Sequence, residues 1–379
     1  MKTILLYSVG DSSKLSTWSN VPALFLSALR KKQVRVIPVN IEPLPWLNRL
    51  FNRISFTLFQ IIFKSQACPT YGRSFLHHFL TNRKIRKVTK EHPEADFHLF
   101  LSYRFWNIYS EKPSVLWCDW PDSTVIERIG RKPAWYEKAS LQRECRAIQN
   151  ADRVYSMFPC CAKDMKHKYG RDVQWLGRNV VNTVEDTPPD MAAIIAQRCV
   201  SKKILFIGGY SYRGACQSLI DTFAKIKSKT TDIQLHIVGQ RKENFTNLSQ
   251  NIHFHGYLRK DIAGEREEYY NLLKSARVIV NPASKWGGYS STIEAMYYGC
   301  PIIVSPYDDF TEEFGKLIPF GYYLNRQEQL QEKMEQMISM APEEYEKMAF
   351  EAHNAVKEYT WENYVKCFLA DLEDSGIIR

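Results

Sequence analysis

A chain of 379 residues exceeds one ordinary domain, so two domains of similar size are expected. Apolar residues at 45% and charged residues at 24% exclude disordered, collagen-like and coiled-coil chains. The net charge of +10 is one-sided: residues 1–190 hold 29 Lys/Arg against 17 Asp/Glu, and the remainder holds 22 against 24. Such an excess points to a one-sided anionic partner, whether lipid, nucleic acid or a phosphorylated acceptor.

Residues 4–8 form a short apolar strand pattern that runs into Gly10-Asp11-Ser12. The pattern is too short for a secretory signal, and no apolar run reaches the roughly 20 residues of a membrane helix. A soluble, cytoplasmic chain with nine reduced thiols is expected. Further strands are predicted over 34–39, 97–101, 115–118 and 154–156, with helices over 19–31 and 136–149. His77-His78 and the pair His253 and His255 are read as packing residues rather than metal ligands.

Between these elements lies one departure. Leu47, Leu50, Phe51, Ile54, Leu58, Ile61 and Ile62 fall at helical spacing, and Trp46, Phe56, Phe59 and Phe63 widen the apolar face until it nearly encircles the helix. Arg83, Lys84, Arg86, Lys87 and Lys90 follow within two turns. Two readings stay open: an amphipathic helix in an anionic bilayer interface, or a helix buried against the N-terminal sheet beside a solvated basic one.

The second half repeats the alternation, with strands predicted over 204–207, 234–238, 252–255, 278–280, 302–304 and 322–324. Helices are expected over 217–226, 265–275 and 292–298, then three more from 327 to the end. Pro188-Pro189 breaks helix and strand alike and suggests the linker. The pattern predicts an α/β protein of two Rossmann-like domains facing a cleft, over 1–186 and 187–379.

Chemistry concentrates in residues 281–304, where a strand ends at Pro282 and a glycine-rich loop precedes a helix opening near Ser290, Ser291 and Thr292. Hydroxyls and unpaired N–H groups at a helix start suit a phosphate. Glu294 sits about one turn further in, where a carboxylate suits a sugar hydroxyl. The stretch resembles the donor-site signature of family 4 glycosyltransferases of the GT-B fold: Glu294-Ala295-Met296, Gly299 and Pro301 match. By that resemblance Glu294 holds the donor's ribose, and Trp286 stands where the family has the glutamate that contacts the transferred sugar.

Gly208-Gly209-Tyr210-Ser211-Tyr212-Arg213-Gly214 after a strand resembles the family's diphosphate loop. Gly214 falls on the family lysine, which leaves Arg213 as the cation beside Gly208 and Gly209. Residues 252–258 resemble the strand and turn where the nucleobase packs, at Tyr257 and Leu258. Glu144 to Gly170 resembles part of the family's N-terminal domain, and residues 358–362 its closing segment, whose last helix returns to that domain. Gly10 occupies the place where this fold brings backbone against the donor phosphate. Cys118-Asp119 stands where family members often have His-Asp, so Asp119 or Asp122 is expected to orient the acceptor hydroxyl, with helix capping as the alternative for Asp122.

The resemblance implies a hexosyltransferase-like enzyme, retaining in outcome, that moves sugar from a nucleotide-diphosphate sugar to a glycan or lipid-linked acceptor in polysaccharide or glycolipid assembly. Arg213, Glu294 and Asp119 would carry the chemistry, without metal, cofactor or nucleic acid. Peripheral attachment at the inner membrane face fits the basic half. The rival reading is a catalytically impaired GT-B scaffold acting as a partner subunit. A sugar-nucleotide epimerase and a nicotinamide dehydrogenase fit less well, the latter because no G-x-G-x-x-G follows the first strand.

Overall fold

The computed structural model describes residues 2–64, 68–227, 232–284 and 288–378. The chain divides into two compact units, Met1–Arg178 with Tyr364–Arg379, and Asn179–Asn363. Pro188-Pro189 lies inside the second unit, just ahead of its first helix.

The first unit runs β1 (Thr3–Ser8), α1 (Val21–Lys31), β2 (Arg35–Asn40), α2 (Pro45–Phe56), α3 (Phe75–Glu91), β3 (Phe97–Phe100) and β4 (Ser114–Cys118). It continues through α4 (Asp122–Arg128), α5 (Lys138–Asn150), β5 (Arg153–Ser156) and α6 (Pro159–Tyr169). The strands form one parallel sheet in the order β2-β1-β3-β4-β5. β1 is buried along its whole length, which is why it reads as an unbroken apolar run rather than an alternating one. The chain lays β2 on one side of β1 and then β3 to β5 on the other. The carboxyl ends of β1 and β3 therefore flank the topological switch point, where ligands of open α/β sheets bind.

The second unit opens with α7 (Met191–Cys199), whose N-terminus is capped by the Asp190 carboxylate accepting from the Ala193 N–H at 3.1 Å. There follow β6 (Lys203–Ile207), α8 (Arg213–Lys227), β7 (Gln234–Val238), β8 (Ile252–Gly256), α9 (Ala263–Ser275), β9 (Val278–Asn281) and α10 (Ser290–Tyr297). Then come β10 (Ile302–Val304), α11 (Asp308–Phe314), β11 (Gly321–Tyr323), α12 (Gln329–Ser339), α13 (Pro342–Val356) and α14 (Trp361–Asp374). All strands are parallel, in the order β11-β10-β9-β6-β7-β8, and the switch point falls between β6 and β9. Gly299 stops α10 with a φ of +71°, a left-handed turn that glycine adopts without strain.

From Tyr364 onward α14 belongs to the first unit. The Trp117 indole N–H donates to the Tyr364 hydroxyl at 2.7 Å, Phe368 packs edge-on against Phe25, and Asp371 accepts two bonds from Arg153 at 2.7 and 2.9 Å. The closing helix thus returns to the N-terminal sheet, as the family resemblance implies.

The segment after β2 is helical, but it is not buried. α2 passes into a wider turn over Thr57–Ile62, and Ser55 is the buried residue of the helix. Phe51 and Phe59 pack inward on Tyr71 and Tyr136, whereas Trp46, Leu50, Ile54, Phe56, Ile61, Ile62 and Phe63 lie exposed, Phe63 by 67%. The reading of a helix buried against the sheet is overturned. Helical spacing marks one apolar face but does not say what covers it.

Buried charge shapes both units. Arg198 and Arg277 are almost wholly buried and donate to main-chain carbonyls: Arg198 to Leu273, Lys274 and Tyr298, Arg277 to Arg198, Cys199, Met337 and Met340. Those carbonyls lie at helix ends, which have no partners of their own and carry partial negative charge. In the first unit Asp122 opens α4 and is clasped by Arg104 at 2.7 and 2.8 Å and by Arg73 at 2.9 Å. Burial pushes its carboxyl up, but the two guanidiniums outweigh burial and hold it below the usual carboxylate range. Asp122 is therefore a structural anchor, which removes it from the two candidates for orienting an acceptor.

Glu144 accepts from the Asp122 and Ser123 N–H groups at 2.7 and 3.2 Å and so caps α4 from α5. Burial first, and the neighbouring Asp122 charge second, push its carboxyl up to about 7. The folded chain keeps a proton that the unfolded chain releases nearer pH 4.5, so this contribution to stability is complete at low pH and lost as pH rises through about 7. Glu144→Gln is expected to gain on the wild type in thermal midpoint between about pH 5 and about pH 8. A difference in midpoint that does not change with pH would contradict this account of Glu144.

Candidate functional site

In the second unit the loops at the carboxyl ends of β6, β7, β8 and β9 are tied to one another. After β6 the backbone turns through Gly208 and Gly209 into a short 3-10 turn, Tyr210–Tyr212, and Arg213 is the first residue of α8. A Cβ at Gly208 would lie 3.1 Å from the Phe206 ring and from Cβ of Tyr212. One at Gly239, after β7, would lie 2.7 Å from the Gly208 carbonyl oxygen, and its φ of +89° also calls for glycine. Gln240 is buried and donates to the Gly208 carbonyl at 2.7 Å and to that of Gly209. The loop is thereby fixed with its carbonyls turned onto Gln240. Gly209 has open space where a Cβ would be, so no close packing requires glycine there.

The β7 and β8 ends are joined by the Gly239 N–H donating to Gly256 at 2.6 Å. Next to Gly256, Tyr257 is 68% exposed and Leu258 is buried. The Tyr212 hydroxyl reaches across to the Gly288 carbonyl at 3.0 Å, tying the glycine loop to the segment that enters α10. At the start of α10, Ser290 and Ser291 are half-buried and Thr292 is buried, while Tyr289 is held by its hydroxyl on Glu313 at 2.5 Å. Arg213 is exposed, with its guanidinium 5.8 Å from the Tyr210 ring centre. The sequence candidates Gly208, Gly209, Arg213, Tyr257, Leu258, Ser290, Ser291, Thr292 and Glu294 therefore share one edge of this sheet. Trp286 lies outside the described residues.

Glu294 is 2% exposed and already bonded on both oxygens. Lys260 donates to Oε1 at 2.6 Å and Tyr269 to Oε2 at 2.8 Å, with the Tyr270 hydroxyl 3.4 Å from Oε1. The Lys260 ammonium also donates to the Asn182 carbonyl at 2.8 Å and sits 4.7 Å from the Tyr269 ring centre. Burial, then the Glu294 charge, raises the Tyr269 hydroxyl far above its usual range, so it stays a donor. The sequence reading placed Glu294 at this site without these protein partners. It missed Lys260, Tyr269 and Gln240 as site residues, and only the position of Lys260, two residues past Leu258, could have hinted at one of them.

Gly10 and Asp119 lie in the first unit. Gly10 follows β1 with a φ of +96°, and its N–H donates to the Asn40 side chain at 3.1 Å. A pocket of about 250 Å³ at the switch point of this sheet is lined by Ser8, Val9, Trp18, Pro22, Leu101, Cys118 and Asp119. Burial pushes the Asp119 carboxyl up, while its Oδ1 accepts from the Trp120 N–H at 2.7 Å and from the Cys118 thiol. Trp18, Ser19 and Asn20 have φ of 39°, 52° and 72°. Three left-handed residues without glycine are a strained run, and strain of this kind gathers at functional sites.

Comparison with known proteins agrees with this fold. Residues 201–339 match the family model described as Glycosyl transferases group 1. By sequence no curated protein matches. Sucrose-phosphate synthase from Thermosynechococcus elongatus superposes with a TM-score of 0.65 at 15% identity, covering 99% of this chain and 98% of that one. Anabaena HepE in complex with UDP and glucose gives 0.61 at 12% identity, over 98% and 100%. A glycine-to-arginine mutant of S. aureus TarM in complex with Fondaparinux, alpha-GlcNAc-glycerol and UDP gives 0.56 at 13% identity, over 76% of this chain. This chain spans 58% of TarM's length. Two parallel α/β units with these neighbours have the GT-B fold, and residues 201–339 match the Glycosyl transferases group 1 model.

Proposed function

We propose that the chain is a glycosyltransferase that moves a sugar from a nucleotide-diphosphate sugar to an acceptor hydroxyl, with the donor on the second unit and the acceptor on the first. The observation that carries this reading is the joined set of loops at the carboxyl ends of β6, β7, β8 and β9, which meets the switch point with glycines, a helix start and a buried carboxylate. HepE and TarM hold UDP, which supports a nucleotide-sugar donor. Gly208, Gly209, Arg213 and the start of α10 would hold the diphosphate, Tyr257 and Leu258 the base, and Glu294 the ribose. Arg213 would meet the charge that grows as the diphosphate departs. Asp119, in the pocket of the first unit, would orient the acceptor hydroxyl, and retention at the anomeric carbon is part of the reading.

Arg213 is exposed, so its loss tests the site without disturbing the fold. Hydrolysis and transfer assayed over a panel of uridine and guanosine diphosphate sugars are expected to show turnover. Arg213→Ala should lower turnover by tenfold or more, a loss of at least about 1.4 kcal/mol in transition-state stabilisation. Binding of the nucleoside monophosphate should hold. Equal turnover by variant and wild type would remove Arg213 from the site, and no turnover with any donor would remove the enzyme reading.

Attachment to an anionic membrane surface is the second part of the proposal. Among the described residues no helix is long and apolar enough to cross a membrane. The exposed aromatic and aliphatic face of α2 and its continuation, with Arg49, Arg53 and Lys64 also exposed, suits an interface, and α3 adds exposed Arg83, Lys84, Arg86 and Lys87. Basic residues near an anionic surface contribute about 1 kcal/mol each, and salt screens them. Co-sedimentation is expected with anionic but not neutral liposomes, weakening between low and physiological salt. Replacing Arg83, Lys84, Arg86 and Lys87 by Ser should abolish it. Equal binding to both kinds of vesicle, or none to either, would contradict membrane attachment.

A further inference from the structure

Glu294 and Lys260 form a buried ion pair whose side chains are 3% and 9% exposed, at the edge of the second sheet where the donor loops meet. A carboxylate oxygen accepts two hydrogen bonds and an ammonium donates three. On Glu294, Oε1 has Lys260 at 2.6 Å and Tyr270 at 3.4 Å, while Oε2 has Tyr269 alone among the described residues, at 2.8 Å. On Lys260, one proton goes to Oε1 and one to the Asn182 carbonyl at 2.8 Å. Among the described residues the pair is left with one acceptor position and one donor position. Two ribose hydroxyls can both donate to this carboxylate only if Lys260, Tyr269 or Tyr270 gives up its bond.

We infer that the Lys260–Glu294 pair reads the ribose as a unit: one hydroxyl of the vicinal diol donates to Oε2 of Glu294, and the oxygen of the other accepts from the Lys260 ammonium. The inference rests on the donor-site reading above and makes Lys260 a specificity residue of that site. The geometry around the pair is rigid enough for the task. The Asn182 carbonyl fixes the ammonium, Asn182 is itself held by the Trp361 indole N–H at 3.1 Å, and the Tyr269 and Tyr270 rings stand 4.7 and 5.6 Å from the nitrogen. Neither group is free to rotate toward a different partner. A sugar lacking the diol would leave a buried donor and a buried acceptor unmatched, which is a penalty rather than a mere absence of gain.

The test uses the full chain, titrated calorimetrically with uridine and guanosine diphosphates and with their 2′,3′-dideoxy counterparts. Wild type is expected to prefer the ribonucleotide by about a hundredfold, the fold-change of two charge-assisted bonds. Lys260→Met should bring that preference down to about tenfold or less, because one of the two bonds is lost. Removing a buried partner threatens folding, so Lys260→Gln, which keeps an amide donor without the charge, is measured beside it and should lower the preference severalfold. A purely structural role for Lys260 would weaken ribo- and dideoxynucleotide in parallel and leave the preference intact. That result, or a wild type that binds both sugars alike, overturns the inference and leaves the donor site standing. A wild type that binds neither ribonucleotide overturns the donor site and the inference with it.

Discussion

Each of the two sheets is wholly parallel, and that constraint governs where chemistry can occur in this chain. A parallel sheet delivers the carboxyl end of every strand to one edge, and the loops leaving that edge collect there whatever their distance in sequence. In the second unit the loops after β6, β7 and β8 are joined through Gly208, Gln240, Gly239 and Gly256, and Tyr212 extends the set to the segment entering α10. In the first unit the same edge carries Ser8, Leu101 and Asp119 around one pocket. Neither arrangement needs a dedicated scaffold. Both follow from strand order and from the reversal of direction at β1 and at β6.

Buried charge is handled in two ways, and the difference separates structure from function. Arg198 and Arg277 donate to helix-end carbonyls, and Asp122 is clasped by two arginines. These groups act as struts between elements. Lys260 and Glu294, with side chains 9% and 3% exposed, are incompletely matched among the described residues, and they lie just after β8 and within α10. An ion pair of this kind is weak evidence for stability, since well-packed apolar residues often do as well. Its open positions are what the proposed reading of the ribose uses.

Much of this was legible in the sequence. The eleven strands described coincide with predicted runs; where a strand is covered on both faces its interior is a continuous apolar run, as in Ile302–Val304 and at Ile4, Leu5 and Leu6 of β1. Glu294 stood out because Glu-Ala-Met, Gly299 and Pro301 are local in sequence. Its partner Lys260 lies 34 residues away and Arg73 lies 49 residues from Asp122, separations that carry no periodic signal. Helices α7 and α11 escaped notice because they are short. The face of α2 was ambiguous for a physical reason: hydrophobic periodicity records which side is apolar, while exposure depends on what the rest of the chain packs there.

The central claim is that the strand ends of the second unit form a nucleotide-sugar donor site. A crystal structure of the chain grown with uridine or guanosine diphosphate tests it most directly. The account predicts the diphosphate against Gly208, Gly209, Arg213 and the start of α10, with the base beside Tyr257 and the ribose diol on Lys260 and Glu294. A nucleotide bound at any other surface, with this edge of the sheet unoccupied, would contradict it.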